Sequence, residues 1–146
     1  MSVGTAAGES SAQRGHYYAG RGNQFWALLL ATGLVGNRAL RPEEDERVLS
    51  YCVGLTDLAR AVAASTDAKL RACQFEVPAF LEKTEQYLLR AIAFNGRTAA
   101  RIVATHLGKA VPTLGSAPFR VAVSRAFVLP LSSGSDNDPA RLVPMA

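Results

Sequence analysis

The residue types that most often carry enzyme chemistry are sparse in this chain and form no metal-binding pattern. His16 and His106 lie ninety positions apart, and Cys52 and Cys73 form neither a Cys-x-x-Cys pair nor a cluster with histidine. This spacing argues against zinc or another bound metal, so we expect chemistry that needs no cofactor. Gly20-Arg-Gly22 lacks the third glycine of a dinucleotide-binding motif, and neither a Walker A nor a Gly-x-Ser-x-Gly motif occurs.

Composition and charge describe one folded domain that could bind nucleic acid. The 146 residues are 49% hydrophobic and 19% charged, with a formal net charge of +4. Thirteen of the sixteen basic residues are arginine, which is suited to bidentate contacts with phosphate. Nucleic acid is therefore a permitted partner, although an arginine-rich proteome would account for the charge equally well.

The sequence carries no signal for a membrane or for secretion. The longest apolar run, residues 25–31, is shorter than the ~20 residues of a membrane-spanning helix. Ser-Val-Gly-Thr follows Met1 in place of the basic and apolar segments of a secretory signal. We expect a cytoplasmic protein with reduced thiols, folded as a single domain over residues 1–146, of which 135–146 form a loose tail.

Helix and strand patterns alternate along the chain. Asn23 is a good N-cap for a helix that ends near Gly33. Pro42 and the acidic cluster at 43–46 suit the first turn of a second helix. Further helices are predicted at 77–89 and 97–107, and strands at 2–5, 51–56, 91–94, 121–124 and 126–129. This order predicts a three-layer α/β/α sandwich with a short, mostly parallel central sheet.

The carboxyl ends of parallel strands meet at one edge of the sheet, where α/β proteins bind their ligands. The predicted strand ends are Thr5-Ala6-Ala7, Thr56-Asp57, Asn95-Gly96 and the segment from Pro130 onward. We therefore expect a binding site built from these positions. Composition and spacing alone do not identify its ligand.

Four blocks of sequence resemble a known family in their order along the chain. The first comprises Val3-Gly-Thr-Ala-Ala-Gly8, Ser11-Ala12 and Gly15-His-Tyr-Tyr-Ala-Gly-Arg-Gly-Asn-Gln-Phe-Trp26. The others are Arg41-Pro-Glu-Glu-Asp45 with Val53-Gly-Leu-Thr-Asp-Leu58, Ala93-Phe-Asn-Gly96, and Val128-Leu-Pro130 with Ser132-Ser-Gly134. Together they resemble the mismatch-specific uracil-DNA glycosylase and thymine-DNA glycosylase family over residues 3 to about 135.

The resemblance implies a DNA glycosylase of base excision repair, acting as a monomer on DNA with uracil or a mismatch. Such an enzyme flips a nucleotide out of the duplex and hydrolyses the bond between base and sugar, without a cofactor. Tyr18 falls at the position of the aromatic that stacks on the flipped base, and Ala6, Gly8, Ser11 and Asn23 fall at base-binding positions. A non-catalytic DNA-binding relative, or a nucleoside or nucleotide hydrolase on the same scaffold, are the alternatives.

The first block departs from the family pattern at the position that matters for catalysis. Ala6 stands where most relatives have the asparagine that positions the attacking water, and a methyl group can neither orient nor polarise water. We expect Asp57 to take over, because a carboxylate there could orient water and stabilise a cationic sugar. The alternative is that Asp57 only caps the turn after its strand. Glu9 is the second candidate.

The last block is expected to form the loop that contacts DNA. It comprises Leu131, Ser132, Ser133, Gly134 and Ser135. Leu131 is its only large side chain, so this loop should push weakly on a paired strand. Uracil that is mispaired or single-stranded should then be the easier substrate, because less unpairing energy is needed.

Two non-catalytic interpretations also stand: Tyr18 could fill the core of its own loop, and Asn23 could serve only as a helix cap.

Overall fold

Strands and helices alternate in the computed structural model, which describes residues 1–7, 14–19, 23–63 and 76–132, with side chains except at 5–7 and 59–63. The strands are β1 (Ser2–Ala7), β2 (Leu55–Ala63), β3 (Ala91–Asn95), β4 (Gly115–Val121) and β5 (Ser124–Leu129). The helices are α1 (Phe25–Ala31), a 3-10 helix (Pro42–Tyr51), α2 (Val77–Tyr87) and α3 (Arg97–His106). Within these ranges, no helix is long and apolar enough to cross a bilayer.

One five-stranded sheet lies at the centre of the fold, in the order β2-β1-β3-β5-β4. The first four strands of that order run parallel, and β4 pairs antiparallel with β5 at the edge. Parallel neighbours need a crossover connection, and α3 supplies the one between β3 and the β4–β5 hairpin. The predicted mostly parallel sheet is confirmed.

Each face of the sheet carries its own apolar cluster. On one face, strand residues such as Val3, Leu58 and Phe94 pack with Phe80 of α2 and Val103 of α3. The other face is covered by α1 and the 3-10 helix, whose buried side chains form a second cluster that includes Leu55 of β2 at its margin. Leu55 and Leu58 alternate in direction along β2, which places the two clusters on opposite sides. The α/β sandwich is therefore confirmed.

Two strands near the site differ from the prediction. β1 continues to Ala7, so Ala6 lies inside a strand instead of in a turn. The 3-10 helix ends at Tyr51, and β2 begins only at Leu55, so the strand predicted at 51–56 is wrong by four residues at its start. A short apolar run does not distinguish a strand from the end of a helix. Asp57 is therefore the third residue of β2, which excludes its interpretation as a cap after the strand.

The remaining elements follow the prediction except at the edge hairpin. α2, β3 and α3 agree with it to within two residues at each end. The strand predicted at 121–124 is wrong, because β4 ends at Val121, residues 122–123 form the turn, and β5 begins at Ser124. Ala122 has a positive φ of 52° there, a conformation that glycine or asparagine usually signals. Without that signal the turn was not visible in the sequence.

Candidate functional site

Three neighbouring strands bring a carboxylate, a glycine and an amide into one row. Gly4 of β1 pairs with Asp57 of β2. On the other side of β1, Val3 pairs with Phe94 of β3, so Asn95 follows Phe94 as Gly4 follows Val3. β3 ends at Asn95, whereas β1 and β2 continue past this row. The row therefore lies at the carboxyl end of β3, but inside β1 and near the amino end of β2.

The two polar side chains of this row are buried on the face that carries α1. Val3, Leu58 and Phe94 belong to the cluster under α2 and α3, and side chains alternate between faces along a strand. Asp57 and Asn95 therefore point to the opposite face, where they are 9% and 4% exposed. Charged and amide side chains are seldom buried unless they are paired or serve a function. This makes the row the leading candidate for a site.

Gly4 leaves the space that the Asp57 carboxylate occupies. A Cβ atom added at Gly4 would collide with Oδ1 of Asp57, and it would lie 3.6 Å from the Tyr18 hydroxyl oxygen. Both groups therefore lie over the same glycine, on the same face of the sheet. The structure thus brings Asp57 and Tyr18 together, although they are separated by 39 positions in the sequence.

The Tyr18 ring is half of a stacked aromatic pair. Its centroid lies 3.9 Å from that of Phe25, with 21° between the planes, and Trp26 meets Phe25 edge-on at 5.2 Å. One face of the Tyr18 ring is therefore covered by Phe25, and a base could stack only on the other face. Tyr18 remains partly exposed and packs at the margin of the second cluster. A core-filling role on one face is thus compatible with a platform role on the other.

Asp45 holds the segment that carries Tyr18. Its buried carboxylate accepts a hydrogen bond from the backbone N–H of Tyr17 at 3.0 Å, and Nδ1 of His16 lies 3.4 Å away. Tyr18 itself has a positive φ of 52°, which is unfavourable for a bulky residue and needs support from its surroundings. Asp45 supplies such support from the start of the 3-10 helix.

The residues of the acidic cluster at 43–46 have different structural roles, which the sequence did not indicate. Glu44 caps the 3-10 helix by accepting a hydrogen bond from the Arg41 N–H at 2.9 Å, and it also binds Arg38 and Arg47. The hydrogen bonds from Arg38 and from the Arg41 backbone lower the pKa of Glu44 to about 2. The expected capping role is therefore filled by Glu44, while Asp45 anchors the Tyr17–Tyr18 segment.

The surroundings of the Tyr18 hydroxyl keep it protonated. Burial of the phenol and the negative charge of Asp57 raise its pKa to about 12, against the opposing effect of the Ser2 and Asn95 side chains. The Ser2 hydroxyl oxygen lies 3.5 Å from the phenol oxygen. At neutral pH, Tyr18 is thus a neutral hydrogen-bond donor beside a carboxylate.

We expect Tyr18→Phe to remove part of the alkaline loss of stability. Because the pKa of Tyr18 is about 12 in the folded state and about 10 in an unfolded chain, the unfolded chain releases this proton first. The stabilisation that the protonated Tyr18 hydroxyl contributes to the folded state is present below pH ~10 and is lost as the pH rises towards ~12. Urea unfolding at intervals across this range measures the effect. Tyr87→Phe, at an exposed tyrosine, is the control, and equal slopes for the two variants would contradict the assignment.

Asn95 and Ser132 hold each other by two hydrogen bonds. Asn95 Nδ2 donates to Ser132 Oγ at 2.9 Å, and the Ser132 N–H donates to Asn95 Oδ1 at 3.0 Å. The Ser132 carbonyl in turn accepts a hydrogen bond from the Gln24 N–H at 2.9 Å. Both Asn95 and Ser132 are buried. The segments of Asn95 and Ser132 were expected to converge at one site, but these hydrogen bonds between residues 37 positions apart were not predicted.

Leu131 lies against the turn that follows β3. A Cβ atom at Gly96 would come within 2.9 Å of Leu131 Cδ1, and Gly96 has a positive φ of 105°. Both observations explain why glycine stands at this position. The largest side chain of the predicted DNA loop is therefore packed on the protein in this structure.

The other predicted positions are placed as follows. Ala6 pairs with Ala59 inside the β1–β2 ladder. Asn23 was expected as the N-cap of α1, but the N-cap is Gln24; the Asn23 Oδ1 atom, one residue earlier, accepts a hydrogen bond from the Phe25 N–H at 3.0 Å and so satisfies the first N–H of the helix. Gly8, Glu9, Ser11, Ser133, Gly134 and Ser135 lie outside the described residues. In the described ranges, no group of three or more His, Cys, Asp or Glu residues could hold a metal ion.

A comparison with protein-family models gives one match that spans nearly the whole chain. The model of the uracil DNA glycosylase superfamily matches residues 1–137. The match includes the row of Asp57, Gly4 and Asn95, the Tyr18 segment and the loop at Leu131 and Ser132.

Proposed function

Because the chain belongs to the uracil DNA glycosylase superfamily, we propose that it excises uracil from DNA as a monofunctional glycosylase of the mismatch-specific and thymine-DNA glycosylase type. The observation that carries this proposal is the buried Asp57 carboxylate, which shares the space over Gly4 with the Tyr18 hydroxyl. A carboxylate that can act on the sugar and an aromatic ring that can stack on a flipped base are what excision of that base requires.

Asp57 is the proposed catalytic residue. As the bond between base and sugar breaks, the sugar gains positive charge and the departing uracil takes the electron pair of the bond. A carboxylate beside the sugar stabilises that positive charge, and it can accept a proton from the water that attacks the anomeric carbon. Residue 6 of the chain, which lies in β1, is an alanine, so no asparagine is present there to hold this water. Asp57, one strand away, is the nearest group in the row with the required charge.

Tyr18 is the proposed platform for the flipped base. Phe25 supports one face of its ring, and the neutral hydroxyl group is held beside Ser2 and Asp57. A ring fixed at both its face and its hydroxyl end loses little freedom when a base stacks on it. Stacking tolerates different bases, so selection of uracil would have to come from hydrogen bonds at the pocket wall, where Gly8, Ser11, Ala6 and Asn23 are proposed.

Weakly paired uracil is the proposed substrate. Leu131 packs on Gly96, which leaves no bulky side chain of the described loop residues to fill the space of a flipped base. Unpairing must then come mainly from the substrate, so a single strand or a G:U mismatch is favoured over A:U. We also propose that the protein acts as a cytoplasmic monomer without a cofactor.

The direct test is an excision assay with three oligonucleotides of one sequence. Each carries one uracil, in a single strand, opposite guanine or opposite adenine, and alkali converts abasic sites into breaks that a gel resolves. We expect breaks only after alkali, with the A:U duplex cleaved most slowly. Tight binding of uracil-containing DNA without breaks would identify a non-catalytic relative. Release of uracil from deoxyuridine or its nucleotides alone would identify a nucleoside or nucleotide hydrolase.

Tyr18→Ala should weaken the binding of uracil-containing DNA. Loss of base stacking costs ~1–3 kcal/mol, which corresponds to a rise in KM of about 5- to 150-fold, whereas Tyr18→Phe keeps the ring and should change KM little. Steady-state cleavage of the uracil-containing single strand measures both, with thermal melting as a check on folding. Tyr87→Ala, at an exposed tyrosine far along the chain, is the control. Wild-type kinetics for Tyr18→Ala would remove Tyr18 from the platform.

A further inference from the structure

The contacts of Asn95 join three parts of the site that are distant in sequence. Through its side chain, β3 is bonded to Ser132 of the loop, and through the Ser132 carbonyl, that loop is bonded to Gln24 at the start of α1. The next residue of α1, Phe25, is the one on which Tyr18 stacks. Loop, helix start and aromatic platform are thus connected through one amide.

We propose that Asn95 is a positioning residue that fixes the Leu131–Ser132 loop relative to the Tyr18 platform, and that opening of a duplex substrate depends on it. This inference rests on the proposed function, since it assigns a task to the loop that such an enzyme would press on DNA. Asn95 does not itself contact the reacting atoms; it acts through Ser132.

The side chain of Asn95 makes two hydrogen bonds to this loop. Its Oδ1 atom accepts from the Ser132 N–H, its Nδ2 group donates to Ser132 Oγ, and the side chain is 4% exposed. A buried amide with two well-formed bonds is costly to break, because each unpaired polar group loses its interaction with water as well. The loop therefore cannot leave β3 without a substantial loss of stability at this point.

Asn95 also lies on the opposite face of the sheet from the larger apolar cluster. Its neighbours Ile92 and Phe94 belong to the apolar cluster under α2 and α3, whereas Asn95 points to the opposite face. Removal of its amide therefore leaves that cluster intact. An effect on duplex substrates can then be distinguished from general destabilisation.

The mechanical reason for a duplex-specific effect is simple. A single strand presents its base without unpairing, and it needs only the platform and Asp57. A duplex must be held while the base leaves the stack, so the force exerted through the loop must be transmitted to the body of the protein. Asn95 supplies two of the three hydrogen bonds that Ser132 makes to other segments among the described residues.

The test compares Asn95→Ala with Asn95→Asp on two substrates. Aspartate keeps the acceptor for the Ser132 N–H, and its second oxygen can accept from the Ser132 hydroxyl after that group rotates. Alanine keeps neither bond. We expect Asn95→Ala to lower kcat/KM for the G:U duplex about tenfold more than for the uracil-containing single strand. Asn95→Asp should restore the wild-type ratio of the two substrates, even if its added charge near Asp57 changes both rates.

Hydrogen exchange gives a second readout that does not depend on activity. In Asn95→Ala the amides of Ser132 and Gln24 should exchange faster, while that of Leu107, which is bonded at the end of α3, should not change. Asn37→Ala, at an exposed asparagine, is the control and should match the wild type in every measurement.

The outcomes separate this inference from the proposed function. Equal losses on both substrates, or unchanged exchange at Ser132 and Gln24, would overturn the positioning role while excision stands. If the wild-type protein cleaves neither substrate, the proposed function fails, and the same ratio is then measured from the Kd of the two DNAs. Equal binding losses in that experiment would overturn the positioning role as well.

Discussion

Asp57→Asn is expected to slow single-turnover excision of uracil by about 10²–10³-fold. The amide keeps the size and most of the hydrogen bonding of the carboxylate, but it removes the charge that favours a cationic sugar. Loss of one such electrostatic group costs ~3–4 kcal/mol of transition-state stabilisation. Because Asp57 is 9% exposed, solvent screens its charge weakly, and the full effect should appear. The G:U duplex and the uracil-containing single strand should be affected alike.

The controls for this variant test charge and folding separately. Glu85→Gln makes the same chemical change at an exposed position of α2 and should leave the rate unchanged. Asp57→Ala should be at least as slow as Asp57→Asn, and thermal melting verifies that each variant is folded. If Asp57→Asn cleaves within a few fold of the wild type, the charge of Asp57 is not needed for catalysis and Asp57 is a structural residue of β2. Glu9 would then be the next carboxylate to test.

Gly4→Ala is expected to reduce excision about 100-fold while the protein stays folded. The added methyl group would occupy the position of Asp57 Oδ1, and the carboxylate would have to move away from the sugar. Overpacking of this kind costs ~1–3 kcal/mol of unfolding free energy. The φ of Gly4 is not positive, so alanine brings no backbone strain, and the loss of activity follows from displacement of one side chain.

Gly54→Ala is the matched control for this substitution. A Cβ atom there would meet only the Met1 side chain, at 3.5 Å, which is ordinary contact. In the Asp57→Asn background, Gly4→Ala should cause little further loss, because the charge is already absent. Independent, multiplying losses would mean that Gly4 acts on something other than Asp57. Urea unfolding and single-turnover rates for the four proteins of this cycle measure both quantities.

The elements with the clearest sequence patterns were predicted well. The predicted end of β3 at Asn95-Gly96 is within one residue of the observed end, and the apolar spacing of α3 is that of a helix packed on one side, so the bounds of both elements are close to those observed. β2 was placed too early because residues 51–56 are apolar without a clear period. β4 was missed because its turn uses Ala122 at a positive φ in place of glycine or asparagine.

Much of the candidate site depends on contacts that no local pattern encodes. Asp57 and Tyr18 were singled out from the sequence, but their meeting over Gly4 depends on the register between β1 and β2. The same holds for Asn95, whose partner Ser132 is brought near by β5. In the sequence, Asp45 could not be distinguished from its acidic neighbours, because helix capping would account for any of them. Its separate role is visible only in the structure, where its carboxylate accepts a hydrogen bond from the Tyr17 N–H.

The stacked rings beneath the proposed base position also give the protein a built-in optical signal. Trp26 is the only tryptophan in the chain, and it touches Phe25, which in turn carries Tyr18. Its indole N–H is bonded to the backbone carbonyl of Tyr17, immediately before that platform, at 3.2 Å. A nucleobase that settles on Tyr18 therefore lies two rings away from the fluorophore. Arrival and departure of the base can thus be followed through the emission of Trp26, without a label on the protein or on the DNA.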